Sequence, residues 1–167
     1  MKNTLIETTV NDAEVMLKEG VANHHILTHL VFAAERVIGN NSVSSILVLD
    51  EEGLLRNGAS PRLPSDYITA IDGLKPSPAV GTCAAAAATG TMVITTDFLQ
   101  DDKWAELRHL PLALGFASAW SVPIISDKGK VLGTFGTYFR EKRHPDQKHI
   151  DAINSLAQMA AVILMGG

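Results

Sequence analysis

The sequence predicts an α+β fold, an α/β sandwich built on one antiparallel sheet, and three observations carry that prediction. Both ends of the chain show apolar residues at helical spacing, with Ile26, Leu30, Ala33, Ala34 and Val37 near the start and Ile150, Ile153, Ala157, Ala160 and Leu164 near the end. Two strand–turn–strand patterns lie between them, around Glu51-Glu52-Gly53 and around Asp127-Lys128-Gly129. The stretch separating these hairpins is rich in Pro and Gly, as befits loops and short helices laid over a sheet. At 167 residues the chain has the size of one compact domain, and two would be cramped.

Residues 4 to 38 read as one long or two consecutive helices, with Asn11-Asp12 and Asn23 as candidate breaks and Gly39-Asn40-Asn41 as the stop. Ser45 to Asp50 is an apolar strand and Leu54 to Ser60 its returning partner. Pro61 to Pro64 ends the hairpin, and Ser65 opens a short helix through Ile71. After an irregular segment the run Cys83-Ala84-Ala85-Ala86-Ala87-Ala88 forms a small-residue helix, followed by a strand over Thr91 to Thr96. Asp101-Asp102 cap a helix carrying Trp104, Leu107 and Arg108, which Pro111 is expected to break. Residues 116 to 125 and 130 to 140 make the second hairpin. The last helix is expected to begin at Pro145 and to run to about Met165. Its second apolar stripe, Leu156, Met159 and Ile163, calls for another partner, either the N-terminal helix or a second subunit.

Composition excludes several classes. Apolar residues make up 46%, charged residues 19%, and the net charge is −4, which fits an ordered globular protein and not a disordered one. The fourteen Lys and Arg are scattered, so no nucleic-acid footprint is expected. No apolar run approaches the ~18 residues of a membrane span. The start of the chain lacks a signal-peptide core, and Cys83 stands alone, both of which point to the cytoplasm.

The candidate ligand residues are Thr82, Cys83, Trp104, Ser118, Trp120 and Ser121. Gly81-Thr82-Cys83 at a helix start offers backbone N–H groups to a carboxylate, nitrate or phosphate, or else Thr82 simply caps the helix. Trp104 and Trp120 supply flat walls with an N–H donor, or else lie in the core. Ser118 and Ser121 sit three apart on a strand and face opposite ways, so at most one points into a cavity. His25 and His29 share a helix face but lack further ligands in register, and His109 reads as a helix-terminal histidine. Asp97, Asp101, Asp102 and Glu106 read as caps. No catalytic group is expected, since Cys83 in an alanine neighbourhood with no nearby histidine should stay protonated.

The element order resembles that of the GAF domain, the small-molecule sensory module of signalling proteins, over roughly residues 20 to 165. The motifs that carry the resemblance are Gly81-Thr82-Cys83-Ala84, Thr96-Asp97, Asp101-Asp102-Lys103-Trp104, Gly115 to Ile124 and Val131-Leu132-Gly133-Thr134-Phe135. The resemblance implies terminal helices on one sheet face and a ligand pocket, covered by loops and short helices, on the other. Residues 1–20 would then be a signalling or dimerising helix and 20–167 the domain itself. It further implies a homodimer through the N- and C-terminal helices, coupled to a histidine kinase, cyclase or transcriptional regulator. An arginine usual in the central strand of such domains is Ala117 here and a cysteine is Ala119, so a less cationic pocket is implied. Bilin-binding relatives follow the cysteine with histidine where this chain has Ala84, and neither bilin, haem nor metal is expected. The two competing readings are a ligand-free dimerisation module and a redox enzyme using Cys83.

Overall fold

The computed structural model describes residues 4–39 and 41–166. Asn40, Gly167 and residues 1–3 lie outside the described residues, so the part of the expected helix stop that falls on Asn40 is not described. The N-terminal helical region is two helices, α1 (Thr4–Lys18) and α2 (Asn23–Ile38). The break falls at Gly20, whose φ of 78° suits glycine, and Asn11-Asp12 lies inside α1. The hairpin β1 (Val43–Leu49) and β2 (Leu55–Ala59) follows, then α3 (Ser65–Ile71), α4 (Cys83–Thr89) and the short strand β3 (Val93–Thr95).

A 3-10 turn at Asp102–Trp104 leads to α5 (His109–Ala113), and the second hairpin is β4 (Ser118–Ile125) and β5 (Val131–Phe139). Pro111 does not break a helix; it sits in the first turn of α5, where a missing N–H removes no helical bond. His109 opens α5, so the dipole there does not favour a cation as the sequence reading supposed. The final helix, α6 (Gln147–Leu164), starts two residues beyond Pro145. No described helix is long and apolar enough to cross a membrane.

The five strands form one antiparallel sheet in the order β2-β1-β5-β4-β3. The side chains divide by the two-residue strand period into two cores. On one face Ile46, Trp120, Val122, Ile124, Phe135 and Phe139 meet the apolar stripes of α1, α2 and α6. On the other face Val43, Leu47, Ala119 and Tyr138 meet α3, α4 and the loops carrying Phe98, Trp104 and Phe116. The expected division, long helices on one side and short elements on the other, is thus the observed one.

Candidate functional site

The loop-side face of the sheet has an unusual middle. Ser45 of β1 is paired with Gly136 of β5, and Gly136 with Ser121 of β4, so one row across the sheet holds only small residues. The neighbouring rows are bulkier: Val43, Tyr138 and Ala119 on one side, Leu47, Thr134 and Pro123 on the other. The result is a shallow trough floored by Gly136.

Cys83, the first residue of α4, hangs over that floor. A Cβ placed on Gly136 would lie 2.9 Å from the Cys83 Sγ, closer than real carbon atoms approach, and 3.8 Å from the Ser121 Oγ. Only glycine leaves the thiol its place. Burial pushes the Cys83 pKa up, and the Ser121 and Thr134 hydroxyls beside it pull the other way without overcoming burial. The thiol is therefore protonated near neutrality and a poor nucleophile.

Ser121 and Thr134 are themselves fully buried, and neither hydroxyl has an oxygen or nitrogen partner; each is left with only the weakly accepting Cys83 sulfur. A wholly unpaired buried hydroxyl costs roughly 1–3 kcal/mol, and two that share one weak sulfur acceptor recover only part of that. The arrangement contrasts with the rest of this face, where the polar groups are matched. Ser60 donates to the Asn57 Oδ1 at 2.7 Å, which leaves the Ser45 hydroxyl to donate to the Ser60 Oγ, also at 2.7 Å. Tyr67 donates to the Tyr138 oxygen at 2.7 Å with the rings edge-on, and burial raises the pKa of both.

Trp104 and Thr82 are likewise occupied. The indole N–H donates to the Thr82 Oγ1 at 2.8 Å and reaches the Thr95 Oγ1 at 3.2 Å. Thr95 donates to Asp101 at 2.7 Å, so the Thr82 hydroxyl is the donor in the 3.1 Å contact between the two threonines. Burial alone would raise the Asp101 pKa, but bonds from Lys103 and Thr95 outweigh it and hold the carboxyl below the usual range. The Gly81 N–H donates to the Lys103 carbonyl at 2.7 Å. These bonds knit the start of α4 to the 3-10 turn. They also correct two expectations: Thr82 makes no helix cap, and the Gly81 N–H is not free for an anion.

Of the six predicted residues, four share this face: Thr82 and Trp104 as the latch, Cys83 and Ser121 over the trough. Trp120 lies on the opposite face, in the core beneath the long helices, because it alternates with Ser121 along β4. It therefore cannot wall a loop-side cavity. Ser118 has the parity of Trp120, and its hydroxyl donates to the Glu141 carbonyl at 2.6 Å. Sequence reasoning missed Thr134 and Gly136. The signal was present in the alternation of Thr134, Gly136 and Tyr138 with Phe135, Thr137 and Phe139.

His29 stands 3.4 Å from Asp12 of α1, while His24 and His25 stack at 4.0 Å. Among the described residues no three His, Cys, Asp or Glu side chains come together as a metal site. The candidate cations are engaged elsewhere: Arg108 donates to the Leu99 carbonyl at 2.7 Å, and Arg62 to that of Ser42 at 3.3 Å.

A family model of the GAF domain matches residues 24–165. The chain belongs to the GAF domain family. This GAF domain is 31% identical over 148 residues to the methyl sulfide methyltransferase-associated sensor of Methanosarcina acetivorans; the match takes in 89% of this chain and spans 15% of that protein's length. Among solved structures, the GAF domain of a phosphoenolpyruvate-protein phosphotransferase from Coxiella burnetii superposes with a TM-score of 0.75 at 15% identity, covering 98% of this chain and 95% of that one. A domain assigned to a two-component sensor histidine kinase protein of Sinorhizobium meliloti 1021 gives 0.71 at 20% identity, over 84% and 89%. At such identities the structural likeness speaks to the fold.

Proposed function

We propose that this GAF domain is a cytoplasmic, non-catalytic receptor for a small molecule bound between α4 and the sheet. The observation that carries the reading is the pair of buried hydroxyls of Ser121 and Thr134 that find no partner better than the Cys83 thiol. Buried polar groups in native proteins are almost always satisfied, and exceptions gathered at one spot mark a place where a partner arrives. The binding set is then Cys83, Ser121 and Thr134, with Thr82 and Trp104 holding the cover in place.

The route for a signal follows from β4. Ser121 faces the trough, and Trp120, the next residue, sits in the same core as Leu156, Met159 and Ala160 of α6. A ligand that draws Ser121 toward α4 moves Trp120 against the terminal helices, which would pass the shift to an attached or partnered kinase, cyclase or transcriptional regulator. Homodimerisation through the N- and C-terminal helices fits a groove of about 620 Å³ between α1 and α6, in which Ile6, Val10, Met159 and Val162 are flanked by polar residues such as Glu7, Asn11 and Gln158.

A second reading, a ligand-free dimerisation module, is favoured by one observation: Tyr67, Tyr138, Phe98, Phe116 and Trp104 pack ring against ring on the loop side. A thermal-shift screen of amino acids, nitrate, nitrite, purines and aromatic acids separates the two. A saturable rise in Tm, reflecting about 2.7 kcal/mol of stabilisation at one hundred times Kd, supports the receptor. Stability that depends on protein concentration alone supports the scaffold, and an absence of any response to small molecules contradicts the receptor. A Cys83 enzyme is the weakest reading, given the raised thiol pKa.

A further inference from the structure

We infer that a second copy of this chain docks its α1 antiparallel along α1 at the mouth of the groove between α1 and α6, so that Glu7 of each copy faces Lys18 of the other. This assignment rests on the homodimer reading above and gives that dimer its orientation.

α1 packs on α2 and α6, and one side of it is left to solvent. Glu7, Asn11, Glu14 and Lys18 are all exposed and follow one another at intervals of four, three and four residues, which aligns them in a single stripe along the helix. Glu7, Asn11 and Glu14 form the α1 wall of the groove, where the α6 wall adds Ser155 and Gln158 but no charge. Among the described residues neither acid nor the lysine has an ion pair, and the pair that α1 does make, Asp12 with His29, lies on the side toward α2.

Apolar side chains edge the stripe. Val10, which shares the groove with Ile6, Met159 and Val162, borders it on one side, and Val15, 53% exposed, borders it on the other. A two-fold axis across the stripe lays each edge against the same edge of the second copy. Both valines then gain apolar neighbours, which supplies the attraction.

Charge chooses the direction. In a parallel pair every residue of the stripe meets its own copy: Glu7 on Glu7, Glu14 on Glu14 and Lys18 on Lys18, with like charges at each contact. Turned end for end about the midpoint of the stripe, between residues 12 and 13, the helices set Glu7 opposite Lys18 at both ends. Glu14 then lies level with Asn11, whose amide is a donor for the carboxylate. That register uses the whole length of α1, about 22 Å.

Sedimentation of the full chain in about 0.1 M salt gives the dimer Kd of the parent, of Glu7→Lys, of Lys18→Glu and of the double variant. The assignment predicts that each single reversal weakens the dimer at least about tenfold, because the two-fold doubles every lost pair. The double reversal should return it to within about threefold of the parent, a rescue that misfolding would not produce. A dimer that the single reversals leave unchanged overturns the antiparallel contact while the homodimer stands, and so does a double variant as weak as the single ones. A parent that stays monomeric to about 1 mM overturns both, and the groove then falls to a partner of another sequence. The small-molecule reading is judged separately, by the thermal screen.

Discussion

Replacing Thr134 by Val removes a buried hydroxyl and puts a methyl group of nearly the same size in its place. Ordinarily, a change at a fully buried polar residue destabilises, because a partner is left behind. Here the only partner left is the Cys83 thiol, a weak one, since the buried Thr134 Oγ1 has no oxygen or nitrogen partner. The expected sign is therefore reversed. Relief of one unpaired hydroxyl is worth roughly 1–3 kcal/mol, and in a domain of this length each kcal/mol moves Tm by about 2–4 °C. Thr134→Val should raise the Tm of the ligand-free protein, by at most about 2–12 °C. Ser121→Ala should move it the same way by less, because the alanine leaves a small void. The pair should at the same time weaken any ligand that stabilises the parent, the usual trade between a site's function and the fold's stability. Differential scanning calorimetry at fixed protein concentration measures the effect. A fall in Tm of a few degrees for Thr134→Val would show that the hydroxyl is satisfied inside the protein, and the site reading would fail with it.

Three further outcomes follow from the same geometry. Gly136→Ala should destabilise by about 1–3 kcal/mol through overpacking against the Cys83 sulfur, and Cys83→Ala should rescue most of that loss, as a double-mutant cycle by chemical denaturation would register. Trp104→Phe keeps the ring against Phe98 but strips the N–H from Thr82 and Thr95, so it should lower stability by about 1–2 kcal/mol in urea unfolding. Glu35 is buried on α2 and accepts the Ser44 N–H at 2.9 Å; burial raises its pKa, against which that bond and Arg62 act only partly. An acid whose pKa is higher folded than unfolded weighs on the fold above the folded value, and the burden disappears below the unfolded one. Glu35→Gln should thus raise Tm at pH 7 and have little effect at pH 4, and an equal effect at both would contradict the assignment.

Much of the fold is written in periodicity. The helical stripes around Leu30 and Ile153 and the two hairpin turns locate the layers, because each element has one face to bury. Prolines were harder to place, since Pro111 is tolerated in the first turn of α5 and Pro145 precedes its helix, and backbone chemistry alone does not choose between these positions. The site was half legible. Cys83, Ser121 and Trp104 come from segments that the sequence already groups, whereas Trp120 was drawn in by its chemistry when strand parity sends it to the other face. Thr134 and Gly136 escaped because a lone threonine and a glycine in a strand look like ordinary sheet residues. Their meaning comes only from register, which sets Gly136 opposite Ser121 and under α4, and register is a long-range property.

The most direct test is a high-resolution crystal structure of the protein purified from cells growing on its natural nutrients. The account predicts non-protein density over Gly136, within hydrogen-bond distance of both the Ser121 and Thr134 hydroxyls and against the Cys83 sulfur. Density there explained wholly by the protein's own side chains, with no further molecule, would contradict it.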